Sequence, residues 1–534
     1  MNTRFITYLA LSLLGSLSAC YEDNSTMGGA DVPEIAIAPM TAQPAENIIS
    51  YTGTHLKIQP KITTGYTDNQ LEYAWYIYET EAPAQEGGFK KTKISDTRDL
   101  DYEVSLPSGN YTVVLEVKSK EDGYARTQTL PIQVSTAFSK GFYVLKENSD
   151  GNTDIDLDND GVLSTDILRK NLGSAMNGKP RNISVVYTGE FIDPQTNKPA
   201  QGNLLHIFTE NNDYKAFEAE TLTEILNKQT LFYSADMSGE TPYICFRAPM
   251  HTVYFSNTGI RTAATAQFGS SKHNTGRLGE PVDKHGTSRF ILAINSAQDM
   301  AYWSNEEHKL RDINWNFEPS TALTTMDGST YPNDLECISA GLNTIGDIWS
   351  PTITAYFLCE QPSTKTRYLL LLDGGFSFNG IQIQRIIKLD PSLHLAKSQH
   401  IAINRQTATY IYSIDGNKLY AYSWLTRDER EFPLPGIPAG EEITYLSNQC
   451  FHLPAEYGYD TKSNFDNLIV GTQTGNTYKL YFYDAGKNMN GGRPISAPDR
   501  IITGTGKVKA VRFMSPVKLG GMEHMLPPVY PMTD

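Results

Sequence analysis

The sequence predicts an all-β protein, built as a small β-sandwich followed by a β-propeller. Three observations carry this prediction. With Tyr 31, Gly 41 and Pro 28 in 534 residues, the composition favours strands joined by tight turns. Short alternating apolar runs fill residues 33–136, and aromatic-rich hairpins recur from Gly141 onward. The length is too great for one core and implies two to four domains of roughly 100–250 residues. Lys+Arg 45 against Asp+Glu 60 leaves a formal charge of −15, which excludes nucleic acid as the main partner, since phosphate binding needs a concentrated basic surface. Apolar residues at 40% and charged residues at 20% describe a folded chain and exclude wholesale disorder.

Residues 1–19 read as an export signal: Arg4, then an apolar stretch too short to span a bilayer, then small residues. The ending Leu17-Ser18-Ala19-Cys20 resembles a bacterial lipobox, which implies that Cys20 becomes the lipidated first residue of the mature chain. Residues 20–32 are acidic, then polar and Gly-rich, the composition of a flexible tether. Acidic residues just after the lipidated Cys resemble the surface-export signal of Bacteroidetes lipoproteins. That resemblance implies the outer membrane, facing the cell exterior, with the lipid as the only membrane contact.

The sandwich, residues 33–136, is read from apolar runs at 34–38, 55–62, 71–78, 102–106, 110–118 and 127–134, separated by turns such as Pro107-Ser108-Gly109 and Glu121-Asp122-Gly123. Tyr111, Val113, Leu115 and Val117 alternate with Thr112, Val114, Glu116 and Lys118, which predicts one apolar face. Trp75 is placed mid-strand, where its ring fills the space between two sheets. Tyr73-Ala74-Trp75-Tyr76, Leu106-Pro107-Ser108-Gly109-Asn110-Tyr111-Thr112-Val113 and Val117 resemble the PKD-like immunoglobulin-type domain. Together with the lipobox and the junction from Val134 to Phe142, the chain resembles the PKD-like lipoproteins of Bacteroidetes. The resemblance implies neighbours of the SusC/SusD type: a TonB-dependent transporter and its lipoprotein lid.

Residues 137–534 are read as the propeller. A meander over 141–146, 153–158 and 162–168 turns at Asp150-Gly151 and Asp160-Gly161, and comparable units start near Asn203, Tyr243, Arg289 and Thr354. The clearest hairpins turn at Asp415-Gly416-Asn417 and Thr474-Gly475-Asn476. Units average about 55 residues, within the range of decorated blades, and seven blades fit best. Ring closure covers both faces of each small sheet and leaves only short edges. A second and third sandwich is the rival architecture. One helical interruption is expected at 221–228, where Leu222, Ile225 and Leu226 share a side.

Candidate chemistry is sparse. Asp154, Asp156, Asp158 and Asp160 with Gly161 match the first half of a calcium loop. The twelfth position from Asp156 is Ile167, so the bidentate acid is missing. The competing reading is a strand with Ile155 and Leu157 inward, aspartates facing water, and a closing turn. Cys245, Cys337, Cys359 and Cys450 lack metal-knuckle spacing and read as free thiols at separate buried positions. Glu306-Glu307-His308 lacks a second His, and Gly375-Phe376-Ser377-Phe378-Asn379 lacks the closing Gly of a nucleophile elbow. Trp303 and Trp424 read as packing between blades. Trp315 and Trp349, in loop-like polar segments, are candidates to stack on a sugar or hold a peptide side chain.

The expected function is a non-enzymatic surface lipoprotein, without cofactor, that captures a glycan or peptide nutrient for a SusC/SusD-type transporter. Two rivals remain: a surface hydrolase with acids in the propeller's central opening, and a structural subunit of the transporter complex with no ligand of its own.

Overall fold

The computed structural model describes residues 33–42, 48–50, 54–80, 90–106, 109–233, 239–247, 251–264, 275–294, 299–313, 320–346, 352–373, 381–453, 461 and 464–516. The signal segment, Cys20, the tether, Trp315 and Trp349 lie outside them. Among the described residues the regular structure is almost wholly strand, and none of the helices is long and apolar enough to cross a membrane. The chain divides into two compact units, one within the first 133 residues and one chiefly from Val134 onward.

In the first unit, a five-stranded sheet runs in the order Ile48–Ser50, Ala125–Ser135, Gly109–Ser119, Leu71–Glu79, Thr92–Ser95. Two smaller sheets pair Ile35–Ile37 with Ile62–Thr64 and His55–Ile58 with Leu100–Glu103. Trp75 is fully buried, and its indole N–H donates to the Thr97 carbonyl at 2.9 Å, so the ring is buried without leaving a donor unpaired. The expected alternation along Gly109–Ser119 is only partly obeyed, because Thr112 and Val114 are buried along with Val113 and Leu115. The strand is the middle of five. The Thr112 hydroxyl lies 2.9 Å from that of Thr80, which lets a polar side chain accept burial.

Among the described residues the second unit holds seven small antiparallel sheets of three or four strands, and a two-stranded ribbon pairing Met489–Asn490 with Arg493–Pro494. The second, third and fourth begin with Pro180–Asp193, Pro242–Arg247 and Thr287–Ile294; the fifth, sixth and seventh begin with Glu336–Ile345, His400–Ile403 and Glu442–Phe451. Each continues outward strand by strand, through three described strands in the third sheet and four in the others. The first sheet is assembled differently. Its order is Val162–Ser164, Thr153–Asn159, Gly141–Glu147, and then Lys507–Met514 from the far end of the chain. Each sheet's initial strand packs against that of the next, and Lys507–Met514 packs against both Pro180–Asp193 and Glu442–Phe451. The series of neighbours therefore returns on itself in a propeller-like arrangement.

Apolar cores lie between successive sheets, which is why both faces of most strands are apolar. Tyr143, Leu145, Ile155 and Leu157 face the second sheet's Ile183, Leu205 and Ile207. Phe142 and Val144, on the opposite face, pack on Ile469, Leu480 and Phe482 of the seventh. Trp303 is buried in the core spanning the third to fifth sheets and Trp424 in that of the fifth and sixth. Gly416 and Asn417 both have positive φ, the two-residue turn whose twist matches a hairpin. At Gly141, φ is +126° and an added Cβ would meet the Asp158 carbonyl at 2.3 Å, so only glycine lets these strands meet there.

Four expectations are corrected. Residues 221–228 are not helical: Glu224–Asn227 is the outer strand of the second sheet. The Glu218 carboxylate accepts from the backbone N–H groups of Glu220 and Thr221, and Leu222 takes a left-handed φ of 53°; this tight turn outcompetes a weak helical pattern. The third strand of the meander stops at Ser164, and Ile167–Leu172 forms the helix, ended by Gly173 at φ 79°. The aspartates of 154–158 are buried, not facing water, because the seventh sheet covers their face. Finally, Cys337 and Cys359 are not separate: they sit directly opposite each other in the fifth sheet, because the hairpin between them folds one strand back on the other.

All four thiols are free in the structure; three are buried and Cys450 is half-buried. Burial pushes the Cys450 thiol up to about 12 and Cys245 and Cys359 upward as well, which suppresses the reactive thiolate. These thiols are expected to resist a disulfide-exchange reagent at pH 8 until denaturant is added. Rapid labelling of the native protein would contradict the packing.

Candidate functional site

The initial strands of the second to seventh sheets, together with the closing strand Lys507–Met514 of the first, line a cavity of about 300 Å³. Arg181, Tyr243 and Arg289 come from the second, third and fourth sheets; Ser339, His400 and Thr444 from the fifth, sixth and seventh; Lys509 and Arg512 from the closing strand. Every sheet contributes, so no single local motif marks the site. The lining residues include three arginines and a lysine and no Asp or Glu. That local balance is opposite to the chain's overall −15.

The four cations differ in role. Arg181 is anchored: its guanidinium donates to the Pro242 carbonyl at 3.1 Å, the Glu210 carbonyl at 3.1 Å and Asn212 Oδ1 at 3.2 Å, tying the second sheet to the third. Arg512 donates to the Val511 carbonyl at 2.8 Å. Arg289 lies over the Phe290 ring at 4.7 Å. Lys509 is open to solvent yet set inside the concavity. Burial, then the Arg289 charge, hold its ammonium below the usual lysine range; Arg181 adds to this and Glu210 opposes it. His400 is lowered by burial, with Glu442 opposing. Polar bridges between sheets hold this frame. Asn182 Nδ2 donates to the Tyr243 carbonyl at 2.9 Å, Asn343 Nδ2 to the Asn404 carbonyl at 2.6 Å, and Val511 N–H to the Tyr445 hydroxyl at 3.1 Å.

The aspartate run is a different kind of place. Asp156 Oδ1 lies 2.6 Å from Lys146 Nζ, which is also 2.9 Å from Asp166, and Asp156 Oδ2 accepts from the Tyr478 hydroxyl at 2.7 Å. Asp158 pairs with Arg500. Asp160 meets Lys140 at 2.8 Å, and Asp154 accepts from the N–H groups of Ile155 and Leu168. Burial raises the Asp154 carboxyl. The four carboxylates are parcelled out to separate partners, and among the described residues no cluster of His, Cys, Asp or Glu is placed to hold a metal ion. Trp315 and Trp349 fall outside the described residues.

One buried acid sets a pH dependence. Burial pushes Asp466 up to about 6, despite its hydrogen bond from Asn448. The folded state therefore holds this proton more tightly than the unfolded chain. Its stabilisation is present at low pH and lost as pH rises through 6, about 1.3 kcal/mol between pH 5 and 7. His206, lowered by burial to about 3, works in the opposite direction, so the readout is a difference. In denaturant titrations at pH 5 and 7, Asp466→Asn should gain about 1.3 kcal/mol relative to wild type on going to pH 7; an unchanged difference would contradict the assignment.

Comparison with known proteins identifies part of the chain. Residues 20–180 match the family model described as the PKD-like family. None of the curated proteins matches the sequence. Among solved structures, a DUF4784 family protein from Bacteroides caccae is 9% identical, with TM-score 0.33, covering 76% of this chain and 96% of its own. The dihydro-heme d1 dehydrogenase NirN is 9% identical, with TM-score 0.36 and coverage of 71% and 76%. The Dos1 propeller is 9% identical, with TM-score 0.26 and coverage of 72% and 83%.

Proposed function

We propose that the protein is a lipid-anchored module of the bacterial outer surface that captures a nutrient for a SusC/SusD-type transporter, and that its seven sheets are the blades of a closed propeller carrying the binding site. The observation that carries this reading is the cavity to which all seven sheets contribute, six through their initial strands and the first through Lys507–Met514. A ligand there contacts residues from across the whole ring, and its contacts are held by inter-sheet hydrogen bonds rather than by one loop. Such a pre-formed concave site suits binding. Hydrolysis of a glycan calls for a pair of carboxylates across the scissile bond, and the residues lining this cavity hold none, which favours capture over turnover at this place. The lipobox-like Cys20 and the polar segment after it supply the anchor and tether. Holding a binding site near a transporter mouth raises the local ligand concentration without any new contact.

The test is affinity purification of the tagged full-length protein from detergent-solubilised outer membranes, with mass spectrometry of the mature amino terminus. A diacylated or triacylated Cys20 and co-purification of a TonB-dependent transporter are expected. An unmodified terminus, or recovery with no transporter, overturns the proposal.

A further inference from the structure

We infer that the cavity binds a small oxyanionic ligand carrying at least two carboxylate or sulfate groups. The inference rests on the capture reading above and adds the ligand's chemistry. Arg181, Arg289, Lys509 and Arg512 converge on about 300 Å³ in a chain whose net charge is −15. Like charges so placed repel one another, and the lowered affinity of Lys509 for its proton records that cost, with Arg289 and Arg181 as causes after burial. Arg181 is explained by its bonds to neighbouring backbone. Lys509 is not: among the described residues its ammonium forms no ion pair or hydrogen bond. A cation held in a concavity beside other cations gains most from an anion between them, because guanidinium and ammonium donors make stronger, shorter bonds to an oxyanion than to neutral acceptors. The cavity is at the small end of ligand pockets, which suits a compact di- or tricarboxylate or the acidic end of a sugar chain. An extended polyanion such as nucleic acid would in addition have to approach a chain of strongly negative net charge.

Isothermal titration of the full mature protein with three probes separates the possibilities: citrate, digalacturonate and neutral lactose. Both anions, or digalacturonate alone, should bind at least tenfold more tightly than lactose. Raising sodium chloride from 50 to 500 mM should weaken that binding at least tenfold. Citrate binding together with digalacturonate marks a site for free carboxylates; digalacturonate alone marks an acidic sugar. Lys509→Gln and Arg289→Gln should each weaken binding at least fivefold with an unchanged melting temperature. If a variant melts early, the salt dependence and the lactose comparison in wild type still decide. Binding of lactose as tight as that of the anions, or no binding of any anion, overturns the inference. Transporter co-purification uses none of these ligands, so the capture reading stands or falls separately.

Discussion

A chain ending at Gly506 is expected to lose cooperative folding of its second unit. The missing strand, Lys507–Met514, pairs along Gly141–Glu147 and packs against the initial strands of the second and seventh sheets. Val511 is fully buried with Phe142, Val144 and Ile469, while Ala510 and Met514 belong to the core on the other side. Removing them opens two cores at once and leaves the Gly141–Glu147 edge unpaired, an invitation to aggregation. Domains are stable by only roughly 5–15 kcal/mol, too narrow a margin to absorb the opening of two cores. Circular dichroism should show no sharp thermal transition, and most of the protein should be insoluble. A synthetic peptide of residues 506–516 added during refolding should restore part of the transition. A soluble truncated chain melting within a few degrees of wild type would mean that this strand does not close the unit.

That strand also shows where sequence reading succeeds and where it stops. Hairpins such as Tyr410–Asp415 with Lys418–Ser423 are legible because a short turn with glycine joins two alternating runs. The units read as starting near Asn203 and Thr354, and the hairpins read as turning at 415–417 and 474–476, open on the second strand of their sheets. The strands that begin those sheets at Pro180, Glu336, His400 and Glu442 follow connections between sheets, whose turns, such as Asn177-Gly178, Asp327-Gly328 and Pro435-Gly436, do not join them to a partner strand in a hairpin. Because these unmarked strands line the cavity, the site was nearly illegible. Arg181, Arg289, Lys509 and Arg512 are scattered over more than 300 positions, and only the order of the sheets brings them together. A signal did exist in the sequence: Arg181, Arg289 and Lys509 near the starts of strands in an acidic chain. Its meaning requires the ring. The helix expected at 221–228 failed for a smaller reason, since three apolar residues cannot outweigh a turn bonded to the Glu218 carboxylate.

Replacing Lys146 with Met should destabilise the second unit by about 3–5 kcal/mol. The side chain is buried, and its ammonium lies 2.6 Å from Asp156 and 2.9 Å from Asp166. Methionine nearly fills the volume but carries no charge, so Asp156 remains fully buried as an anion served only by the Tyr478 hydroxyl and the Asp166 N–H. The protein must then bear the desolvation of a lone carboxylate or protonate it. Lys146→Met with Asp156→Asn removes both charges and should recover at least half of the loss, a coupling that simple loss of packing would not produce. Urea midpoints of wild type, both single variants and the double variant measure it. Additive losses, or a single-variant loss under 1 kcal/mol, would refute the pairing. The same geometry bears on calcium: Lys146 Nζ already occupies the position beside Asp156 and Asp166 that a bound cation would take. Millimolar calcium should therefore leave the wild-type midpoint unchanged, and a calcium-dependent rise would mean that the aspartate run holds the ion after all.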